Sequence, residues 1–297
     1  MKKIFVVGSL NMDLVIRAPF MPENGQTITG DGFMTNPGGK GANQATAVGK
    51  LGGNCFMVGC VGRDFGDTLI HTLNQYNINT DFVVKRTEVS SGIAVIVVVD
   101  GDNRIILDKG SNALVDKKII DDALSTANAG DYMVVQLEIE NDMVEYALKC
   151  AKQKGMITVL NPAPAREISK ECFTNCDYFM PNQSETQFFT GIYPEDEQTA
   201  LSAVDALEKS GVKNVIITMG SKGALYKKDG KAILVPALNV NAIDTTAAGD
   251  TFVGAFVLGL SEEMTVGKAI EFAVKASAIT VTRRGAQQSI PVRSEII

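Results

Sequence analysis

The stretch that decides the fold is Asn241-Ala-Ile-Asp-Thr-Thr-Ala-Ala-Gly-Asp-Thr-Phe252, where three small residues lead directly into a helical pattern over Asp250–Leu260. A small-residue turn at a helix start leaves backbone N–H groups free at the positive end of the helix dipole. It therefore predicts an anion cradle for a phosphoryl group, formed by Ala247, Ala248 and Gly249. Two roles are open to Asp250: an N-cap of the helix, or a general base that takes a proton from an attacking hydroxyl.

Outward from this stretch, short apolar runs alternate with helical patterns such as Asp142–Lys154 and Ala200–Lys209. Runs that are apolar on both faces and alternate with helices predict a mostly parallel sheet covered on both sides, in three α/β/α layers. A hairpin that turns at residues 228–230 and two further helical patterns complete the C-terminal third. The predicted strands are Ile4–Gly8, Phe56–Gly62, Tyr132–Leu137, Ile157–Leu160, Tyr178–Met180 and Val215–Met219.

Two regions interrupt this alternation. Residues 12–37 hold strand-like pieces among prolines and glycines, and residues 90–108 read as two strands around a Gly-Asp-Asn turn at residues 101–103. We expect the two regions to pair into a small β-sheet lid, hinged near Gly38-Gly39, although simple edge hairpins would give the same pattern. The α/β core would then comprise residues 1–11, 38–89 and 109–297.

Composition excludes several classes of function. The chain has 297 residues and a formal charge of −6, which argues against a nucleic-acid binder. His71 is the single histidine of the sequence, which excludes any multi-histidine metal site and any Ser-His-Asp triad that does not use His71 itself. The five cysteines form no Cys-x-x-Cys pair, and no run of about 18 apolar residues could cross a membrane. We therefore expect a cytoplasmic enzyme that uses carboxylates and backbone groups.

Polar residues after the first strand and a glycine-rich turn predict a small-ligand site. The turn is Asn36-Pro-Gly-Gly-Lys-Gly-Ala-Asn-Gln-Ala45, which lacks the Gly-Lys-Ser/Thr of a Walker A loop. Its glycines permit close backbone approach, and Asn43 offers both a donor and an acceptor. Together with Asn11-Met-Asp13 it suits sugar hydroxyls, while an ordinary loop-to-helix junction is the alternative.

Two further motifs follow predicted strands. In Met180-Pro-Asn-Gln-Ser-Glu185, the side chains of Asn182 and Glu185 could reach a hydrated Mg²⁺ or could form a helix capping box. The second motif, Thr218-Met-Gly-Ser-Lys-Gly223, could border a nucleotide or simply begin the next hairpin. Neither motif decides between its two readings alone.

In this order, the motifs resemble the ribokinase branch of the PfkB sugar-kinase family over essentially the whole chain. The resemblance also covers Gly59–Asp67, Gln136-Leu-Glu138, Asn161–Ala165 and the ending Val281–Ser289. It implies a ribokinase-like α/β/α sandwich with a β-sheet lid. Both faces of the lid strand over residues 93–98 are apolar, so we expect the face that does not cover the sugar to form a homodimer contact. It further implies transfer of the γ-phosphoryl group of ATP to the primary 5-hydroxyl of D-ribose or a close pentose.

By this resemblance, Asp250 is the base and Ala247–Gly249 provide the anion hole. The residues implied for the sugar are Asn11, Asp13, Gly39, Lys40, Gly41, Ala42, Asn43, Glu138 and Asp250. Those implied for ATP are Asn182, Thr218, Met219, Gly220, Ser221, Lys222, Gly223 and Gly249, with Asn182 and Glu185 near Mg²⁺. Val274 stands where family members often carry a polar residue, which leaves the adenine contacts open.

The resemblance also implies an activating K⁺. Its ligands would be the Asp244 carboxylate, the Ser289 hydroxyl and backbone carbonyls of Thr246, Thr280, Arg283 and Gly285. Three alternatives stay open for the activity: a deoxyribokinase, a pseudouridine or nucleoside kinase, and a non-catalytic sugar or nucleotide sensor on the same fold. The mainly aliphatic lid disfavours adenosine-like substrates, and retention of Asp250 with the cradle disfavours the sensor.

Overall fold

The computed structural model describes residues 1–100 and 102–296, so Gly101 of the predicted lid turn lies outside the described residues. Within these ranges, nine strands form one large sheet and four form a separate small sheet. The large sheet has the order β13-β12-β11-β10-β9-β8-β1-β4-β5. Its strands are β1 (Lys3–Val7), β4 (Asn54–Gly62), β5 (Asn79–Arg86), β8 (Tyr132–Gln136), β9 (Ile157–Asn161), β10 (Tyr178–Phe179), β11 (Asn214–Thr218), β12 (Ala224–Lys228) and β13 (Lys231–Val235).

Neighbouring strands from β11 through β5 run parallel, and the β12–β13 hairpin adds an antiparallel edge. The predicted mostly parallel sheet is therefore confirmed. Helices connect its strands, as parallel neighbours require. They are α1 (Lys40–Lys50), α2 (Gly66–Gln75), α3 (Lys117–Ser125), α4 (Asn141–Gln153), α5 (Lys170–Thr174), α6 (Gln183–Thr190), α7 (Glu197–Lys209), α8 (Ala248–Ser261) and α9 (Val266–Thr280).

Side-chain alternation along the central strand β1 divides the core into two layers. Phe5 and Val7 face a cluster that includes the buried sides of α3, α4 and α7. Ile4 and Val6 face a second cluster that includes α1, α2, α8 and α9. Successive residues of a strand point to opposite faces, so a strand that is apolar at every position buries both faces of the sheet. The three-layer α/β/α sandwich follows from this pattern.

The small sheet, called the lid sheet below, consists of β2 (Asn11–Arg17), β3 (Asp31–Gly38), β6 (Gly92–Val99) and β7 (Asp102–Asp108), in the order β3-β2-β6-β7. The two interrupting regions therefore pair with each other. Asp13 is opposite Ala94, which places both on one face, while Val95 and its partner Ile106 lie on the other. Ala94 is buried, whereas Ile106 is 73% exposed, so the second face is the outer one.

Among the described residues, no helix is long and apolar enough to span a membrane.

Candidate active site

Helix α8 begins three residues earlier than an N-cap role for Asp250 requires. Its N-cap is Ala247, which adopts the left-handed conformation with φ 60°, and Asp250 lies in the first turn. The N-cap alternative for Asp250 is therefore wrong. Its carboxylate instead accepts two hydrogen bonds from helix α1, from Asn43 Nδ2 to Oδ2 and from Gln44 Nε2 to Oδ1, each at 3.0 Å.

The start of α8 provides free backbone donors, although not all of those predicted. The N–H of Ala248 donates to the carbonyl of Thr245 at 3.2 Å, so it is already used. Within residues 1–100 and 102–296, the N–H groups of Ala247, Gly249 and Asp250 have no acceptor. Unpartnered donors at a helix N-terminus favour an anion. Of the three residues predicted for the cradle, Ala247 and Gly249 therefore keep free N–H groups, and Asp250 adds a third.

Gly254 brings α1 and α8 into close contact, and the sequence analysis missed it. A Cβ at this position would lie 2.6 Å from the Cβ of Ala47 and 2.6 Å from the carbonyl oxygen of Gln44. The helices can therefore reach their observed spacing only with glycine here. A glycine inside an otherwise apolar helix four residues after Asp250 is the signal that could have identified it.

The glycine-rich turn lies against the end of β1. Gly39 adopts φ 89°, a conformation that favours glycine, and a Cβ there would lie 2.8 Å from the backbone nitrogen of Asn11. Glu138 Oε2 accepts from Ser9 Oγ at 2.5 Å and from the N–H of Lys40 at 3.1 Å. The turn is also held by N–H bonds from Gly41 to Ser9 Oγ at 3.3 Å and from Ala42 to the Ser9 carbonyl at 2.9 Å.

The predicted sugar residues form one charged cluster. Burial, together with the nearby carboxylates of Glu138 and Asp250, raises the pKa of the Asp13 carboxyl to about 7. Burial disfavours the ammonium of Lys40, but three carboxylates outweigh it and raise the pKa of that lysine; they belong to Asp250, Glu138 and Glu185. Lys40 therefore carries a positive charge among several acidic groups, so the cluster offers both hydrogen-bond acceptors and a cationic donor.

Two buried amides point toward this cluster. Asn43 Oδ1 is buried without a hydrogen-bond partner in the described part of the chain, which leaves an acceptor available to a ligand. Asn11 Oδ1 accepts from Asn112 Nδ2 at 2.7 Å, so its own NH₂ is the group left for a ligand. Asn112 also accepts from the N–H of Leu10 at 2.9 Å. Its position directly after the lid sheet gave no sequence signal for this role.

A cavity of about 740 Å³ opens on the other side of the α8 N-terminus. Six of the eight predicted ATP residues line it: Asn182, Thr218, Gly220, Ser221, Gly223 and Gly249. Met219 and Lys222 do not, because Met219 is buried in the core and Lys222 Nζ donates to the carbonyl of Glu195 at 2.5 Å. Val274, Phe252 and Leu238 add an apolar wall that is suited to a flat base.

Asn182 and Glu185 form the capping box of α6. Asn182 Oδ1 accepts from the N–H of Glu185 at 2.8 Å, and Glu185 Oε2 accepts from the N–H of Asn182 at 2.8 Å. Burial raises the pKa of the Glu185 carboxyl, although bonding to Asn182 and attraction to Lys40 oppose this. The capping alternative is confirmed; Asn182 lines the cavity, whereas Glu185 is buried behind it.

The residues predicted to bind a monovalent cation lie on two neighbouring segments. Asp244 accepts from the N–H groups of Thr246 and Gly285, each at 2.9 Å, and despite burial these bonds lower the pKa of its carboxyl. The remaining predicted ligands, Thr280, Arg283 and Ser289, belong to the end of α9 and the loop that contains Gly285. Ser289 is buried, with its hydroxyl donating to the Ala286 carbonyl at 2.7 Å.

Comparisons with known proteins agree with this architecture. A model of the pfkB family carbohydrate kinases matches residues 1–293. The chain is 43% identical to a ribokinase from Schizosaccharomyces pombe, over 100% of the chain and 97% of that protein. It is 38% identical to a deoxyribokinase from Salmonella typhi, over 97% and 95%, respectively.

The structure of Arabidopsis thaliana ribokinase complexed with ribose and ATP superposes with a TM-score of 0.91 at 29% identity, covering 99% of this chain and 97% of that one. The predicted fold and the resemblance are therefore confirmed. The chain belongs to the pfkB family of carbohydrate kinases, within the group that contains the ribokinases.

Proposed function

We propose that this carbohydrate kinase transfers the γ-phosphoryl group of ATP to the primary 5-hydroxyl of D-ribose or a close pentose. Family membership makes the chain an ATP-dependent sugar kinase. The choice of pentose, the base and the anion hole are the proposal, and we assign them to Asp250 and to the N–H groups at the start of α8. The ribokinases among its relatives support ribose as the substrate.

One observation carries the proposal: consecutive residues of α8 face two different compartments. Gly249 lines the 740 Å³ cavity, whereas the Asp250 carboxylate is bonded to Asn43 beside the charged cluster. A nucleotide in the cavity would present its terminal phosphate to the free N–H groups, and a sugar in the cluster would present a hydroxyl to the carboxylate. In-line phosphoryl transfer needs donor and acceptor to meet at such a point.

The cluster around Asp13 suits a polyol. Asp13 and Glu138 offer carboxylate acceptors, Asn43 offers its unpartnered Oδ1, and Asn11 offers an NH₂ group. Sugar hydroxyls both donate and accept, so a mixed set of buried groups can bind them without leaving polar atoms unpaired. We assign these side chains to the sugar, together with the backbone of Gly39–Asn43.

In the proposed mechanism, Asp250 accepts the proton of the sugar 5-hydroxyl as its oxygen attacks the γ-phosphorus. Negative charge then grows on the transferred group, where the N–H groups of Gly249 and Asp250 can stabilise it. The carboxylates of Asp250, Glu138 and Glu185 all act on the ammonium of Lys40 and raise its pKa against the effect of burial, so it stays charged. It would offset the charge that collects where carboxylates and phosphate approach each other.

Mg²⁺ would accompany the nucleotide, neutralising phosphate charge when bound. Mg²⁺ keeps several waters and takes few protein ligands, so one or two oxygen groups at the cavity edge are sufficient. Both Glu185 oxygens already accept from Asn182, Oε2 from its N–H at 2.8 Å and Oε1 from its Nδ2 at 3.0 Å, so each has only its remaining lone pairs for a water of the ion. We propose that Asn182 and Glu185 hold the ion through its water shell.

K⁺ would supply a fixed positive charge next to the loop that leads into α8. The oxygen-only donor set fits an alkali cation, and two backbone N–H bonds hold the Asp244 carboxylate in its ionised form. Asp244 precedes the cradle by six residues, so its position influences the orientation of the loop N–H groups. We propose Asp244 and the Ser289 hydroxyl as its side-chain ligands, with carbonyls of Thr246, Thr280, Arg283 and Gly285.

We also propose that the lid sheet, residues 12–37 and 90–108, closes over the sugar and excludes water, while residues 1–11, 38–89 and 109–297 form the core. Asp13 and Ala94 lie on its inner face, and the exposed Val95 and Ile106 on its outer face suit a second copy of the chain. Sedimentation should give a dimer for the native chain and a monomer for Ile106→Lys. A native monomer would refute dimerisation through the lid.

ADP release, measured with ribose, deoxyribose, fructose and nucleosides and with or without K⁺, tests the proposed activity. We expect the highest kcat/KM with ribose. The deoxyribokinase relative makes deoxyribose the main competing substrate, and one hydroxyl separates the two sugars. A preference for deoxyribose or a nucleoside would correct the substrate, and binding of both ligands without ADP release would indicate a sensor.

A further inference from the structure

The Gln44 side chain is completely buried, and every hydrogen-bonding atom of its amide is used. Nε2 donates to Asp250 Oδ1 and to Asn161 Oδ1, each at 3.0 Å. Oε1 accepts from Gln136 Nε2 at 2.6 Å. A glutamine amide has two N–H donors, so the Gln44 side chain, which is fully buried, has no donor left to offer a ligand.

The far end of this network fixes the direction of the Gln44 amide. Asn161 Nδ2 donates to the backbone carbonyl of Met180 at 2.8 Å. Because a carbonyl can only accept, Asn161 must direct its NH₂ to Met180 and its oxygen to Gln44. Gln44 must then direct its NH₂ toward Asn161 and Asp250, so the usual ambiguity between amide nitrogen and oxygen does not arise.

The other amide on Asp250 is not fixed in this way. Asn43 donates to Asp250 Oδ2, but its own oxygen has no partner within the described residues and is available to the sugar. Its contact with the base can therefore change as substrate binds and leaves. By contrast, the bond from Gln44 to Asp250 is held by the buried bonds of Gln44 and Asn161, which a substrate does not contact in this arrangement.

We propose that Gln44 is the positioning residue of Asp250. Its N–H holds Oδ1 of the carboxylate in one direction and stabilises the charged form that accepts the proton. The role rests on the proposed function of Asp250 as the base, and Gln44 itself touches neither sugar nor nucleotide in this account.

Other charged groups also act on Asp250 and must stay constant in any test. These groups are Asp13 on β2, Lys40 on α1 and Glu185 on α6. The Glu138 carboxylate in turn shifts the pKa values of Asp13 and Lys40. Substitution of Gln44 changes none of these groups. A difference between the native chain and a Gln44 variant therefore reports the loss of the Gln44 amide, which bonds Asp250, Asn161 and Gln136.

The test compares Gln44→Met with Gln136→Met, with kcat and sugar KM measured across pH at saturating ATP. Both substitutions keep the side-chain length and remove one member of the same buried network, but only Gln44 contacts Asp250. For Gln44→Met we expect kcat to fall about tenfold or more, sugar KM to change less than about threefold, and the acid limb of kcat to move up about one pH unit. Gln136→Met should leave the acid limb in place.

Equal shifts of the acid limb in both variants, or none in Gln44→Met, would overturn the proposal. If Gln44→Met does not fold, Gln44→Glu keeps the bond from Gln136 and puts a second carboxyl beside Asp250. Two adjacent carboxyls share a proton, so its acid limb should move up further than one unit, and an unchanged limb would overturn the role of Gln44. Native turnover in Asp250→Asn would instead overturn the proposed function itself.

Discussion

Helices α1 and α8 pack closely at Gly254, so the substitution Gly254→Ala, which adds one methyl group there, has a predictable effect. The new Cβ would lie 2.6 Å from Gln44 O and from Ala47 Cβ, whereas such contacts normally need more than about 3.3 Å. Helices α1 and α8 would therefore have to separate by roughly 0.7–1 Å. The two 3.0 Å bonds to Asp250, from Asn43 and Gln44, would then stretch toward 4 Å and cease to be hydrogen bonds.

We expect kcat to fall by about 10²-fold, the usual result of a misplacement of about 1 Å in an active site. Overpacking should cost about 1–3 kcal/mol of unfolding free energy, offset by up to about 1 kcal/mol from the better helix propensity of alanine. Gly259→Ala is the matched control, because it adds a methyl to the same helix against Ala269, at 3.1 Å and away from Asp250. Its kcat should stay native. Both variants are measured by ADP-release kinetics and urea unfolding. Native kcat and native stability in Gly254→Ala would show that the two helices accommodate the methyl group without separating.

Three other substitutions test separate parts of the site. Asp13→Asn should abolish sugar binding, yet it should stabilise the fold by on the order of a few kcal/mol at pH 8 and by little at pH 4. The Asp13 carboxyl has a pKa of about 7 in the folded chain and near 3.8 in the unfolded chain, so the stability of the native protein falls as pH rises between these values. Urea unfolding that shows the same stability difference at both pH values would contradict this. A Cβ at Gly249 would have no atom within 4 Å, so Gly249→Ala should leave Tm unchanged, while the new methyl group in the cavity should raise the KM for ATP. An unchanged KM would place the nucleotide phosphates elsewhere. Asp244→Ala should abolish activation by K⁺ and lower turnover without weakening sugar binding, with Ser289→Ala acting in the same way but less; a native chain indifferent to K⁺ would refute the cation site.

The α/β architecture could be predicted because strands buried on both faces are written as continuous apolar runs. Strand β5 escaped prediction for the complementary reason: it is the edge strand of the sheet, is only half-buried and carries polar residues from Asn79 to Arg86. The lid sheet was predictable because its two segments both lack helical periodicity, which left pairing with each other as the way to satisfy their backbones.

Within the site, local sequence could identify Asp250 but not its surroundings. The N-cap alternative failed because Ala247 adopts a left-handed conformation that alanine rarely takes, which starts the helix three residues earlier. Gln44 and Gly254 act through contacts between α1 and α8, which lie about 200 residues apart in sequence and meet only in the folded chain. Such pairs have no local pattern to reveal them.

The role of Asp250 as the base is decided by single-turnover phosphoryl transfer in Asp250→Asn, with sugar and ATP binding measured on the same protein. The variant should fold, because Asn43 can turn its amide so that Oδ1 accepts from the new NH₂ group, while Gln44 still donates to the remaining oxygen. The turned Asn43 then presents its own NH₂ to the sugar, whose hydroxyls accept as well as donate. We predict a rate loss of about 10²–10⁴-fold, typical of a removed general base, with both ligands bound to within a few-fold of native affinity. Native turnover in the folded variant would contradict the account.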